Sequence, residues 1–238
     1  MPDTRIPRTG RIITNTASMA STVGVFQAPP GAHTAVVNVA AVSTFGFGPK
    51  IDRAVTLVST TSTEVKANLI DADSTTTASF NSFAATSKFY IGSRKKFRGM
   101  YVDITNANGT ANTIAVKYTT AEATFSTVAG LVDNTDTGGS FGQDGLITWT
   151  LPTDWLPVKA NLSYAELDES LFWVELSWDV AFDSTTSVAA ITLLQDVAPT
   201  ADSIPIDTYV FEIDNGGVGG LEHLDAGTGA IYVLWITS

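Results

Sequence analysis

Helical periodicity is almost absent from this chain, and that feature constrains its fold more than any other. Only Tyr164–Asp168 has the spacing for a short helical turn. The apolar residues instead fall in short β-rich runs separated by turn formers. Ile114, Val116 and Tyr118 alternate across 113–118, after the turn Asn106-Ala107-Asn108-Gly109, whose Asn-Gly pair supplies positive φ. Similar runs lie at 34–39, 54–58, 89–91, 99–104, 146–149, 171–178, 188–193, 208–213 and 230–236. Threonine, β-branched and suited to a half-buried pleated surface, occurs 34 times. The pattern predicts an all-β protein, a β-sandwich or jelly-roll-like fold. At 238 residues with 44% hydrophobic content, the chain is large enough to bury a real core.

Three regions are expected. Residues 1–30 read as an extended N-terminal arm: Arg5, Arg8 and Arg11 sit among prolines and small polar residues, with Ile6, Ile12, Ile13 and Phe26 as apolar points. Such an arm has no core of its own and orders by lying on a neighbour. Residues 31–88 read as an N-terminal β region followed by a Ser/Thr/Ala-rich linker over 71–88. Residues 89–238 read as the main β-sandwich.

Charge divides the chain unevenly. Residues 1–98 hold 11 of the 13 Lys and Arg but 5 of the 24 Asp and Glu; the rest of the chain holds 2 and 19. The basic part can meet an acidic partner or the acidic part of a sister subunit; alternatively the two parts neutralise each other within one fold. Nucleic acid is not expected as a partner, because the chain is acidic overall and carries no nucleic-acid-binding motif. The densest cluster is Arg94-Lys95-Lys96-Phe97-Arg98. It reads equally as an anion-binding surface or as a solvated loop before the strand at Gly99.

Signals for chemistry are sparse. Cysteine is absent, which excludes disulfides, thiolate metal sites and a cysteine nucleophile. No apolar run reaches the roughly 18 residues needed for a membrane-spanning helix. No apolar stretch of roughly 7–15 residues follows the basic start, so a Sec signal peptide is not expected. His33 and His223 stand alone among small or apolar neighbours. Gly216–Gly220 lacks a following helix and reads as a turn between strands. Asp133–Asp144 has the wrong spacing for a calcium loop, with Thr137 at the fifth position and Asp144 at the twelfth. No catalytic residue, metal ligand or cofactor is assigned.

Four segments carry a resemblance. They are 89–93 (FYIGS), 97–104 (FRGMYVDI), 147–155 (ITWTLPTDW) and 172–178 (FWVELSW). Together they resemble a module recurrent in tailed-bacteriophage virion proteins, in which a W-x-x-P-x-D-W segment and an aromatic-Trp strand line one β-sandwich. The physical reading agrees: Trp149, Trp155 and Trp173 are large core fillers, and Pro152 stops the strand holding Trp149. The resemblance implies a non-enzymatic structural protein located in the virion. The leading expectation is a capsid decoration (cement) protein that binds and stabilises the major capsid protein shell as a homo-oligomer, a trimer being favoured. A tail, baseplate or fibre component and a carbohydrate-binding adhesin are the alternatives. The expected partner-binding residues are Arg5, Arg8, Arg11, Ile12, Ile13 and Phe26 on the arm, and Arg94, Lys95, Lys96 and Arg98 on the basic cluster.

Overall fold

A computed structural model of the chain describes residues 11–19, 24–27, 32–39, 45–70, 75–81, 83–162, 164, 167–194, 207–212, 218–223 and 229–237. In chain order the strands begin with β1 (Arg11–Met19), β2 (Gly24–Gln27), β3 (Ala32–Val39), β4 (Phe45–Pro49), β5 (Arg53–Val58) and β6 (Thr61–Glu64). One short helix, α1 (Lys66–Ile70), follows. Then come β7 (Ala78–Ser79), β8 (Lys88–Ser93), β9 (Gly99–Asn106), β10 (Ile114–Ala121), β11 (Thr124–Thr127), β12 (Ala129–Asp133) and β13 (Gly145–Thr150). The chain ends with β14 (Phe172–Trp178), β15 (Ser187–Leu193), β16 (Asp207–Glu212), β17 (Val218–His223) and β18 (Gly229–Thr237). The all-β expectation holds. Among the described residues no helix is long and apolar enough to cross a membrane.

The chain divides into two compact units, one of Met1–Gly46 with Pro199–Ser238 and one of Phe47–Ala198. In the first, an antiparallel sheet is ordered β1–β18–β3–β16. Strand β1 pairs with β18 without a register shift from Arg11↔Thr237 to Met19↔Gly229, and β2 pairs with β17. Ala35, Val37 and Val233 are fully buried there. These pairings differ from the expected arm. Arg11, Ile12 and Ile13 occupy an edge strand of the chain's own sheet, and Phe26 lies in β2. Ile6, Arg5 and Arg8 fall outside the described residues. Residues 11–19 read as arm and not as strand, because the partner lies more than 200 residues away, beyond any local pattern.

The second unit is a two-sheet sandwich. One sheet is ordered β11–β10–β14–β8–β5–β6 and the other β12–β13–β9–β15–β7. Their facing residues interleave in one core: Phe89, Ile91, Val116, Val174, Leu176 and Trp178 from the first sheet, and Met100, Val102, Ile147, Trp149 and Ile191 from the second. The expected boundary at residue 88 cuts through this unit, because β5 pairs with β8 from Arg53↔Gly92 to Leu57↔Lys88. The Ser/Thr/Ala stretch expected as a linker carries Phe80 and Phe83, both buried. Their rings meet Trp178 at 6.2 and 5.8 Å. Helix α1 also departs from the expected strand run, and its Leu69 is fully buried.

Alternation along β14 explains where its aromatics go. Phe172, Val174, Leu176 and Trp178 face the other sheet, while Trp173 faces outward. Trp173 is nonetheless fully buried, because residues 156–162 and 167–171 lie on the outer face. They pack Ala160, Leu167 and Leu171 onto Trp173, Tyr90 and Val55. The cross-strand neighbour of Trp173 is Gly92. A Cβ there would stand 2.8 Å from the indole ring and from Leu171, so only glycine lets the ring lie flat on β8.

Candidate partner-binding surface

The basic loop 94–98 joins β8 to β9 and caps one end of the sandwich. Its backbone is tied at both ends. The Arg94 N–H donates to Asp52 Oδ2 at 2.8 Å, and the Arg98 carbonyl accepts from Trp149 N–H at 2.9 Å. Gly99 then enters β9 against β13, where a Cβ would lie 2.4 Å from the Ile147 carbonyl oxygen. The middle is pinned by Phe97. Its ring is fully buried, 5.0 Å from Trp155 and 5.7 Å from Trp149. The one apolar residue of the cluster is therefore a core anchor, while Arg94 and Lys95 stay exposed.

Arg94 has a side chain 76% exposed, with Nε 3.7 Å from Asp52 Oδ1. Lys95 is exposed. Lys96 Nζ lies 5.8 Å from the centroid of the Phe172 ring, a cation–π contact worth about 0.5–1 kcal/mol at such a site. Lys66 Nζ donates to the Asp52 carbonyl at 2.8 Å, bringing α1 to the same end. Lys50 precedes Asp52 by two residues. The patch thus brings Lys66 and the four cations of the loop to the end that holds Asp52. Arg53, by contrast, is engaged by Glu64 at 2.6 Å and Glu169 at 3.3 Å, and these bonds raise its pKa.

Of the residues expected to bind a partner, Arg94, Lys95, Lys96 and Arg98 come together in this patch. Arg11, Ile12, Ile13 and Phe26 belong to the other compact unit. Sequence reasoning missed Lys50, Asp52, Lys66 and Phe172. The Asp52–Arg94 contact spans 42 positions, and no spacing rule reaches that far.

A second charged group lies on the outer face of the six-stranded sheet. Glu175, 8% exposed, accepts from the Tyr90 hydroxyl at 3.1 Å. Its other oxygen is 3.8 Å from both Lys88 Nζ and Lys117 Nζ. Burial, and then Glu175, push the Tyr90 phenol well above its usual range. Two ammonium groups compensate the carboxylate, so the arrangement is a satisfied cross-strand network.

The opposite end of the sandwich is acidic. Asp183 accepts the N–H groups of Gly109, Thr185 and Thr186 at 2.6, 2.9 and 3.0 Å, and the hydroxyls of both threonines. These bonds, that from Gly109 first, hold its carboxyl well below the usual range. A carboxyl depressed in the folded state adds stability above its unfolded pKa of about 3.9, and that stability is lost as pH falls through the folded value. Asp183→Asn is therefore expected to unfold with a shallower pH dependence below about pH 4 than the native chain. Denaturant midpoints across that range measure it, and parallel curves for the two proteins would contradict it.

Asp133 is committed within its own loop: one oxygen accepts from Thr135 N–H and hydroxyl, the other from Ser140 Oγ at 2.6 Å. Among the described residues no group of three His, Asp or Glu is placed to hold a metal ion. His33 lies in β3 and His223 in β17.

Fold and surface together define an all-β protein of two units, one a two-sheet sandwich with a rigidly mounted basic loop. No protein-family model matches the chain, and no curated protein matches it.

Proposed function

We propose that this protein is a non-enzymatic structural component of a tailed-phage virion, a capsid decoration protein that binds and stabilises the shell of the major capsid protein. One observation carries the reading. Three of the four segments that resemble the virion module, far apart in sequence, meet in one aromatic cluster. Phe97, Trp149, Trp155 and Phe172 stand 5.0 to 5.7 Å from their ring neighbours. The fourth, β8, pairs with the β14 segment from Phe172↔Ser93 to Leu176↔Phe89.

The reading is favoured over a carbohydrate-binding adhesin by where the aromatics lie. Sugar binding uses exposed rings, and among the described residues of 48–194 Tyr164 is the one large aromatic that is mostly exposed, at 57%. A tail or baseplate role differs from decoration in copy number. Quantitative mass spectrometry of purified particles is expected to count the chain in the hundreds, as a shell lattice requires. A handful of copies would place it in the tail, and its absence from particles would overturn the virion reading. The histidines have no role in this function. A His33→Ala/His223→Ala double variant is expected to join particles as the native protein does. A polysaccharide or peptide hydrolysis lost in that variant would contradict a non-enzymatic role.

A further inference from the structure

We propose that this protein docks head to tail with a second copy of itself, the basic loop end of the sandwich of one copy meeting the aspartate-rich loop end of the other. The inference concerns self-association and stands independently of the virion reading.

Strand directions set the polarity. β8 runs toward Ser93 and β9 away from Gly99, so loop 94–98 lies at one end. β5 and β14 both start there, as the pairs Arg53↔Gly92 and Phe172↔Ser93 show. Loops 80–87, 107–113 and 179–186 lie at the other end. Loop 134–144 joins them through Asn108 N–H to the Phe141 carbonyl at 2.8 Å and Ser140 N–H to the Asn112 carbonyl at 3.3 Å. Phe182 N–H donates to the Phe83 carbonyl at 3.0 Å and ties two more of these loops together. These four loops contain Asp136, Asp144, Asp179 and Asp183 and no Lys or Arg.

Both surfaces are built in advance. Each of the four carboxylates is fixed by a backbone N–H: Asp136 by Gly138, Asp144 by Ile104, Asp179 by Thr113 and Asp183 by Gly109, at 2.6 to 2.7 Å. Asp136, Asp144 and Asp179 are exposed. The cations opposite are mounted on a loop that Phe97 anchors in the core. Fixed opposite charges at two ends of one body suit a heterologous contact, one that repeats from copy to copy and closes into a ring when its rotation allows. Such complementarity governs encounter and register more than the energy of any single pair.

Sedimentation velocity of the full chain tests this. Raising salt from about 0.1 M to about 1 M shortens the screening length from roughly 10 Å to roughly 3 Å, and association is expected to weaken with it. Lys95→Glu/Lys96→Glu and Asp136→Lys/Asp179→Lys are each expected to weaken self-association about tenfold or more. Mixing the two variants is expected to restore association, because each reversed surface then finds its complement. Asp136→Asn/Asp179→Asn retains the oxygen acceptors and removes the charge, so it isolates electrostatics from any loss of folding, which circular dichroism monitors. A native chain that stays monomeric at low salt overturns the proposal. So do variants that associate like the native chain, and so does a mixture that fails to recover, which would assign the basic patch to a different acidic partner.

Discussion

Trp173→Ala is expected to destabilise the Phe47–Ala198 unit by about 3–5 kcal/mol, a large fraction of the roughly 5–15 kcal/mol of an ordinary domain. The indole is fully buried, packed between the outer face of the six-stranded sheet and the residues that cover it. Truncation removes the transfer free energy of a large ring and leaves a cavity bounded by Tyr90, Leu167 and Leu171. It also removes the indole N–H donated to the Glu169 carbonyl at 3.2 Å. Because Gly92 contributes no side chain beneath the ring, the cross-strand partner of Trp173 cannot fill the gap. The covering residues are expected to loosen, so limited proteolysis should cut within 156–171 well before the native protein is cut. Denaturant unfolding measures the energy. A melting temperature within a degree or two of native would show that Trp173 is not the contact that holds these residues down.

Phe97→Ala is expected to cost a similar amount, about 3–5 kcal/mol, and to act on function as well. The ring fills the space between Trp149 and Trp155, and it is the fully buried side chain of the basic cluster. Its loss should free the cations flanking it, seen as faster hydrogen exchange of the amides of residues 94–98. Lys95→Glu/Lys96→Glu is the contrasting case. These side chains are on the surface, where substitutions usually stay within about 0.5 kcal/mol. Stability should therefore separate the two variants sharply. An equal melting temperature for Phe97→Ala and Lys95→Glu/Lys96→Glu would show that the loop is not anchored through Phe97.

Much of the sandwich was legible. Alternation placed Ile114, Val116 and Tyr118 on one face, and all three are buried in the core. Trp149, Trp155 and Trp173 were expected as core fillers, and all are buried. Their location was only partly legible: Trp149 and Trp155 sit between the sheets, Trp173 on the far side of one. The run 172–178 carries Glu175 and Ser177 beside Trp173 on its second face, so its pattern does not reveal that this face is covered as well. For the candidate surface, the density of charge at 94–98 identified the cations. Nothing local marked Phe97 as the anchor, since an aromatic in a cationic run equally suits a surface that stacks on a ligand.

Sequence alone determined the all-β class, many of the strand segments and the segregation of charge along the chain, because these depend on side-chain alternation, turn chemistry and composition, which are local. Tertiary structure decided which strands are partners. It set β1 against β18, drew β5 into the sheet of β8, and made Phe80 and Phe83 of the apparent linker part of a buried aromatic cluster. It also brought Lys66 and Arg94 to Asp52 at one end, and gathered four aspartates at the other. The physical reason is that strand pairing joins backbone groups of almost any sequence, so partners are selected by which faces can be buried together, a property of the whole chain rather than of any window in it.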